Sequence, residues 1–202
     1  MTGVDEVVLQ TGYRPSLDNL DFEQGLDSRS FPKLWGGGGK GYSFSIDLGK
    51  SHQGSGSGKI EKTGQGDHFG SLTRSISAND YRGKRIMYSG FIAAEKATLA
   101  KLWMRIDAVE DGQTTPIDFA DTAKYGTSDT SDWIKHFVVL DVPEDANNMT
   151  FGFLLEGDGA VWGDDLKIEV VGNLSEGPET TGVGREKMRS INAANRVRRS
   201  NN

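Results

Sequence analysis

From Tyr42 to Val171 the chain is a succession of short segments in which apolar and polar residues alternate with a period of two. They read YSFSIDL (42–48), FGSLTRSIS (69–77), RIMYSGFIA (85–93), TLAKLWMRID (98–107), WIKHFVVLDV (133–142), MTFGFLLEG (149–157) and VWGDDLKIEVV (161–171). A period of two sends successive side chains to opposite faces, so each segment is a strand with one face to bury. Gly, Asn, Asp and Pro punctuate them, and helical periodicity is hard to find before the C-terminal stretch. Short strands between tight turns build antiparallel sandwiches rather than α/β sheets. The expected fold class is all-β: an antiparallel β-sandwich over 19–172, preceded by an arm (1–18) and followed by a linker and basic tail (173–202). Within the tail, REKMRSINAANRVRR has the composition of a short helix. At 202 residues the chain is long enough for one such domain with a core of its own.

The chemistry open to this chain is narrow. Cysteine is absent, which removes disulfides, thiol nucleophiles and thiolate zinc sites. Three histidines (His52, His68, His136) leave little for a histidine-rich metal centre. No run approaches the roughly 18 apolar residues of a membrane-spanning helix, and the opening MTGVDEVVLQTGYRP has no apolar stretch of the secretory type. The net charge of −6 is divided unevenly. The last twenty residues carry +5 through Arg185, Lys187, Arg189, Arg196, Arg198 and Arg199 against Glu186, which leaves −11 on the rest. The body therefore repels nucleic acid and anionic membrane, while the tail can attract either and suits an acidic partner or a nucleic-acid backbone.

Several motifs fail on context. WGGGGKG (35–41) contains G-x-G-x-x-G, but a strand-like segment follows where a dinucleotide site needs a helix, so a flexible loop is expected. GKS (49–51) has Phe44 where a phosphate loop needs its first glycine. DAVEDG (107–112) puts Val109 where a calcium loop needs an oxygen ligand, and reads as a turn. No acid–base pair stands out among the 29 acids, so an enzyme ranks last.

Alternation within TLAKLWMRID places Leu102, Met104 and Ile106 on one face, and Lys101, Trp103, Arg105 and Asp107 on the other. The first face is core. The second is either a binding platform or the less apolar side of the sheet. A sugar presents apolar CH faces and hydroxyl edges, and an aromatic ring flanked by planar polar groups matches both. Trp103, Arg105 and Asp107 supply that set, with Tyr88 and His136 extending it from adjacent strands. Trp35, in the glycine-rich loop, is a candidate lid, and Trp133 and Trp162 read as core or edge anchors.

NLDFEQG (19–25) and WGDDLKIEV (162–170) resemble the two ends of carbohydrate-binding-module-type jelly rolls with the galactose-binding-like fold. Between them, YRGKR, LWMRID, DW…VVLDVPEDA and W-x-DD are similar to a bacterial domain attached to regulators and other multidomain proteins. The resemblance spans about residues 19–171 and fades over 36–66. It implies a jelly roll that binds carbohydrate or another small polar ligand without catalysis, and a structural calcium held by acids at the positions of Glu23 and Asp165, with Asp21 and Asp164 outside the first shell. The alternative for those acids is that they cap strands in solvent. The alternative for the whole chain is an interaction sandwich that docks onto a larger assembly through its basic tail.

Overall fold

The structure is a computed structural model that describes residues 17–174 and 180–200, with side chains through residue 198. The expected arm, apart from Leu17 and Asp18, lies outside the described residues. Nine strands follow in chain order: β1 (Gly36–Gly38), β2 (Tyr42–Asp47), β3 (Ser57–Lys62), β4 (Phe69–Ser77), β5 (Lys84–Glu110), β6 (Gln113–Asp121), β7 (Thr127–Val142), β8 (Ala146–Glu156) and β9 (Ala160–Asn173). One helix, α1 (Arg185–Ser200), closes the described chain.

β5 organises everything else. Its first half pairs with β7 and β9, giving a back sheet in the order β7-β5-β9-β3-β2. Its second half pairs with β6 and β8, giving a front sheet in the order β6-β5-β8-β4-β1. Between the halves the register slips, and Lys96 takes a positive φ of 49°. All the pairings are antiparallel, so the expected β-sandwich is the observed one. Two of the expected strands, 85–93 and 98–107, are the two arms of this single element.

The core fills the space between the sheets. Ile86, Tyr88 and Ile92 from the back arm of β5 meet Leu102, Met104 and Ile106 from its front arm, with Phe151 and Phe153 of β8 and Leu72 of β4 between them. Trp35 belongs here too. It is 1% exposed, stacks on Phe22 (5.0 Å between centroids) and donates from Nε1 to the Asn19 carbonyl (2.8 Å). It is a core residue and not a lid, because the glycines after it form strand β1 on the sheet edge instead of a free loop.

β6 is the strand absent from the sequence reading. The turn expected at DAVEDG is its connection to β5, with Asp111 and Gly112 at φ 52° and 74°, the positive values that suit a two-residue hairpin. The tail is not free. Thr181 N–H donates to Val139 O (2.8 Å) and its Oγ1 accepts from Val139 N–H (2.9 Å), on β7. Val183 N–H donates to Phe119 O (2.9 Å) and Gly184 N–H to Asp118 Oδ1 (2.8 Å), on β6. Helix α1 then lies against β6 with Met188 buried, and its Asn192 amide donates to Pro116 O (3.0 Å). Arg185 pairs with Asp145 at 2.5 Å, and both Arg185 and Arg189 approach Glu110.

Candidate functional site: a cleft on the front sheet

The outer face of the front sheet is set by pairing. Trp103 lies opposite Asp121 and Gly152, Arg105 opposite Phe119 and Thr150, and Ser71 opposite Leu154. Gly38 and Gly36 remove side chains beside Ser71 and Thr73, where a Cβ would meet nothing or only ordinary contacts, whereas Gly152 beside Trp103 lets the β4 backbone at Leu72 approach closely. Large rings flanked by glycines leave a hollow: a cleft of about 670 Å³ lined by Gly37–Gly39, Phe69, Ser71, Lys101, Trp103, Phe119, Asp121, Leu154 and Glu156, among others.

Trp103 is half-buried, and its indole stacks on Phe119 with centroids 6.3 Å apart and planes 26° apart. Its Nε1 donates to Ser71 Oγ (3.1 Å), which fixes the ring. Beside it, Lys101 Nζ lies 2.5 Å from Glu156 Oε1 and 3.3 Å from Asp121 Oδ2. Burial works against the ammonium charge, yet the Glu156 hydrogen bond and the two carboxylates hold Lys101 above the usual lysine range. The cleft thus offers an aromatic wall and a fixed ionic cluster.

The sequence-derived candidates divide. Trp103 and Arg105 share this face as expected. Asp107 shares it too, since Ile106 and Ala108 on either side point into the core, but it is fully buried beneath Arg105 and does not line the cleft. There its oxygens lie 2.7 Å from Arg105 Nε and 3.1 Å from Arg105 Nη2, so it positions Arg105. Tyr88 sits on the back arm of β5, pointing into the core against Phe151 at 5.0 Å, 0% exposed, and burial pushes its phenol well up. His136 is on β7, buried, with Nε2 2.9 Å from Thr127 Oγ1 and its basicity lowered by burial. It borders a separate hollow of about 470 Å³ around the edge, beyond Asp121. Neither Tyr88 nor His136 extends the Trp103 face. Phe119, Asp121 and Glu156 complete the cleft without having been singled out. Phe119 and Asp121 lie on the unrecognised β6, whereas Glu156, at the end of an expected strand, reads in the sequence as an ordinary solvated acid.

The two acids expected to hold calcium do come together. The Leu166 N–H donates to Leu20 O (3.1 Å), which joins the first segment to β9, and Glu23 and Asp165 line one hollow of about 620 Å³. Their oxygens are met by N–H groups of the 49–56 loop. Glu23 Oε1 accepts from Ser55 N–H (2.6 Å) and Gly56 N–H (3.0 Å), bonds that hold its carboxyl below the usual range. Asp165 Oδ2 lies 2.7 Å from His52 Nδ1. Asp164, almost wholly buried, accepts from the His52 and Gln53 amides; burial raises its carboxyl. Among the described residues no three acidic or histidine side chains group as metal ligands. Calcium prefers six to eight oxygens, and Glu23 Oε1 and Asp165 Oδ2 are already engaged by the Ser55 and Gly56 amides and by His52. Thermal melting in excess chelator and in excess calcium should therefore give the same midpoint. A rise with calcium that Glu23→Gln removes would instead establish a cation at these acids.

Solved structures that share this architecture include carbohydrate-binding domains and, with a TM-score of 0.56 at 14% identity over 77% of this chain and 21% of that one, the enzymatically active domain of bacteriophage CBA120 tailspike protein 4. The chain superposes on the CBM22-1 xylan-binding domain from Paenibacillus barcinonensis Xyn10C with a TM-score of 0.53, at 16% identity over 75% of this chain and 92% of that one. The C-terminal family 22 module of Clostridium thermocellum Xyn10B gives 0.52, at 15% identity over 77% and 93%. The fold is the jelly roll of carbohydrate-binding modules. TmCBM61, solved with β-1,4-galactotriose, gives 0.52 at 13% identity over 77% of this chain and 97% of that one. In sequence, the chain is 33% identical over 64% of its length to YbfP, an uncharacterized HTH-type transcriptional regulator of Bacillus subtilis (strain 168). It spans less than half of that relative, 44%. No protein-family model matches the chain.

Proposed function

We propose that this jelly roll is a non-catalytic carbohydrate-binding module that takes a glycan segment in the front-sheet cleft. The observation that carries the reading is the Trp103–Phe119 pair walling a hollow beside the Lys101–Asp121–Glu156 cluster. The rings match the CH faces of a pyranose, and the cluster offers both donors and acceptors to its hydroxyls. Lys101 bridges the two carboxylates, so neither stands as a free acid or base, which supports binding over hydrolysis. The xylan-binding and galactotriose-bound proteins of the same fold support the same ligand class.

A screen of the intact chain on a glycan array should find binders. Gly38→Trp then tests the location. A Cβ at Gly38 meets nothing within 4 Å and lies on the cleft side of β1, so the fold tolerates a large side chain that obstructs the cleft. Affinity should drop at least about tenfold, or about 1.4 kcal/mol, with the melting temperature unchanged. Undiminished binding would put the ligand elsewhere.

The similarity to part of a regulator favours a second reading, a module that serves a larger assembly. Docking through the basic tail is less supported, because Arg185 and Arg189 face the chain's own Asp145 and Glu110. A sugar-binding module within a regulator would satisfy both readings.

A further inference from the structure

The Trp103–Phe119 pair borders two hollows, not one. Beyond the cleft it also lines a recess of about 500 Å³ between the β5–β6 hairpin and helix α1. The two hollows are halves of one groove, and the C-terminal helix is a wall of it. Met188, Ile191, Asn192 and Asn195 share one helix face by their spacing and all line this recess.

The halves carry opposite charge. In the cleft half, one ammonium, Lys101, faces Asp121 and Glu156, and Asp67 lines the same space. In the helix half no carboxylate among the described residues lines the recess. Arg105 is matched there by the buried Asp107 beneath it, and Arg196 projects from α1 with no ion pair among the described residues. Gln113, Asn192 and Asn195 add neutral polar groups. A groove for an uncharged glycan needs no such separation. A guanidinium presents a planar fork that matches a carboxylate in two parallel hydrogen bonds.

We propose that the helix half is an anion-recognising end of the groove, and that the ligand class is an acidic glycan, one bearing uronic acid residues. This rests on the carbohydrate reading above. The rim of the groove is exposed, so the charge contributes selectivity on top of the affinity from the rings.

Calorimetric titration of the full chain uses two matched pairs of probes: xylohexaose against xylohexaose bearing a glucuronic acid branch, and β-1,4-galactotriose against a 1,4-linked galacturonic acid trimer. The acidic member of at least one pair should bind about 3- to 10-fold tighter at low salt, and the preference should shrink as salt shortens the Debye length below about 10 Å. Arg196→Gln should bring the two affinities together, whereas Arg198→Gln, on the exposed helix surface, should leave the preference intact. Equal affinities, a preference for the neutral member, or a preference that survives Arg196→Gln overturns this inference and leaves the carbohydrate reading standing. No binding of any of the four probes, together with an empty glycan array, overturns both.

Discussion

Trp103→Ala is expected to weaken glycan binding by at least about 30-fold, which corresponds to about 2 kcal/mol, the scale of a binding hot spot. The indole is the largest ring in the cleft, held by Phe119 on one side and by its hydrogen bond to Ser71. Alanine removes the surface on which a sugar ring would stack and also frees Phe119 to move. The fold should survive, because Trp103 points away from the core and its neighbours Leu102 and Met104 carry the burial. Loss of the stacking contact and of one hydrogen bond costs about 1–2 kcal/mol of stability. Trp103→Phe should retain part of the affinity, and Trp133→Ala, on the back sheet, should retain all of it. Calorimetry on the three variants decides the matter. Wild-type affinity in Trp103→Ala would remove this cleft from consideration.

The largest loss of stability is expected at Phe151. It is fully buried, with centroids 5.0 Å from Tyr88 and 6.3 Å, edge-on, from Trp35. Phe151→Ala opens a cavity between the ring of Tyr88 on the back sheet and that of Trp35 just ahead of β1, and large-to-small changes of this kind cost about 3–5 kcal/mol. For a chain of this size that lowers the melting temperature by about 10 °C or more. Tyr88→Phe should move the other way or not at all. Among the described residues the buried Tyr88 hydroxyl has no hydrogen-bond partner, so its removal relieves a desolvation cost. A melting temperature within about 2 °C of wild type for Phe151→Ala would contradict the packing described.

Much of this architecture was legible in the alternation of residues. The period of two placed Leu102, Met104 and Ile106 inside and Trp103 and Arg105 outside, and the structure agrees at each. What escaped was set by non-local geometry. β6 carries Pro116 and two aspartates and pairs with β5 alone, so it lacks the apolar alternation of a strand between two neighbours. Asp107 keeps the parity of the ligand face, but its burial beneath Arg105, invisible in the sequence, withdraws it from the cleft. Tyr88 and Trp103 lie on one continuous strand, yet the bend near Lys96 puts them in opposite sheets. Gly36 and Gly38 read as flexibility, whereas their pairing in β1 makes their missing side chains into open space beside the cleft.

The segment around Thr181–Gly184 covers two strand edges as well as leading into the helix that walls the groove. β6 and β7 each pair with β5 alone and so present one free edge apiece, the kind of row of unpaired amides and carbonyls that recruits strands from other molecules. Thr181 occupies backbone groups of Val139 on one edge and Val183 those of Phe119 on the other. One short stretch of chain therefore laces the front sheet to the back sheet, and the sandwich approaches a closed barrel along that side. Fraying of this lace would uncover two sticky edges at once, so the same four residues that seat the helix also guard the protein against edge-to-edge association with its own copies.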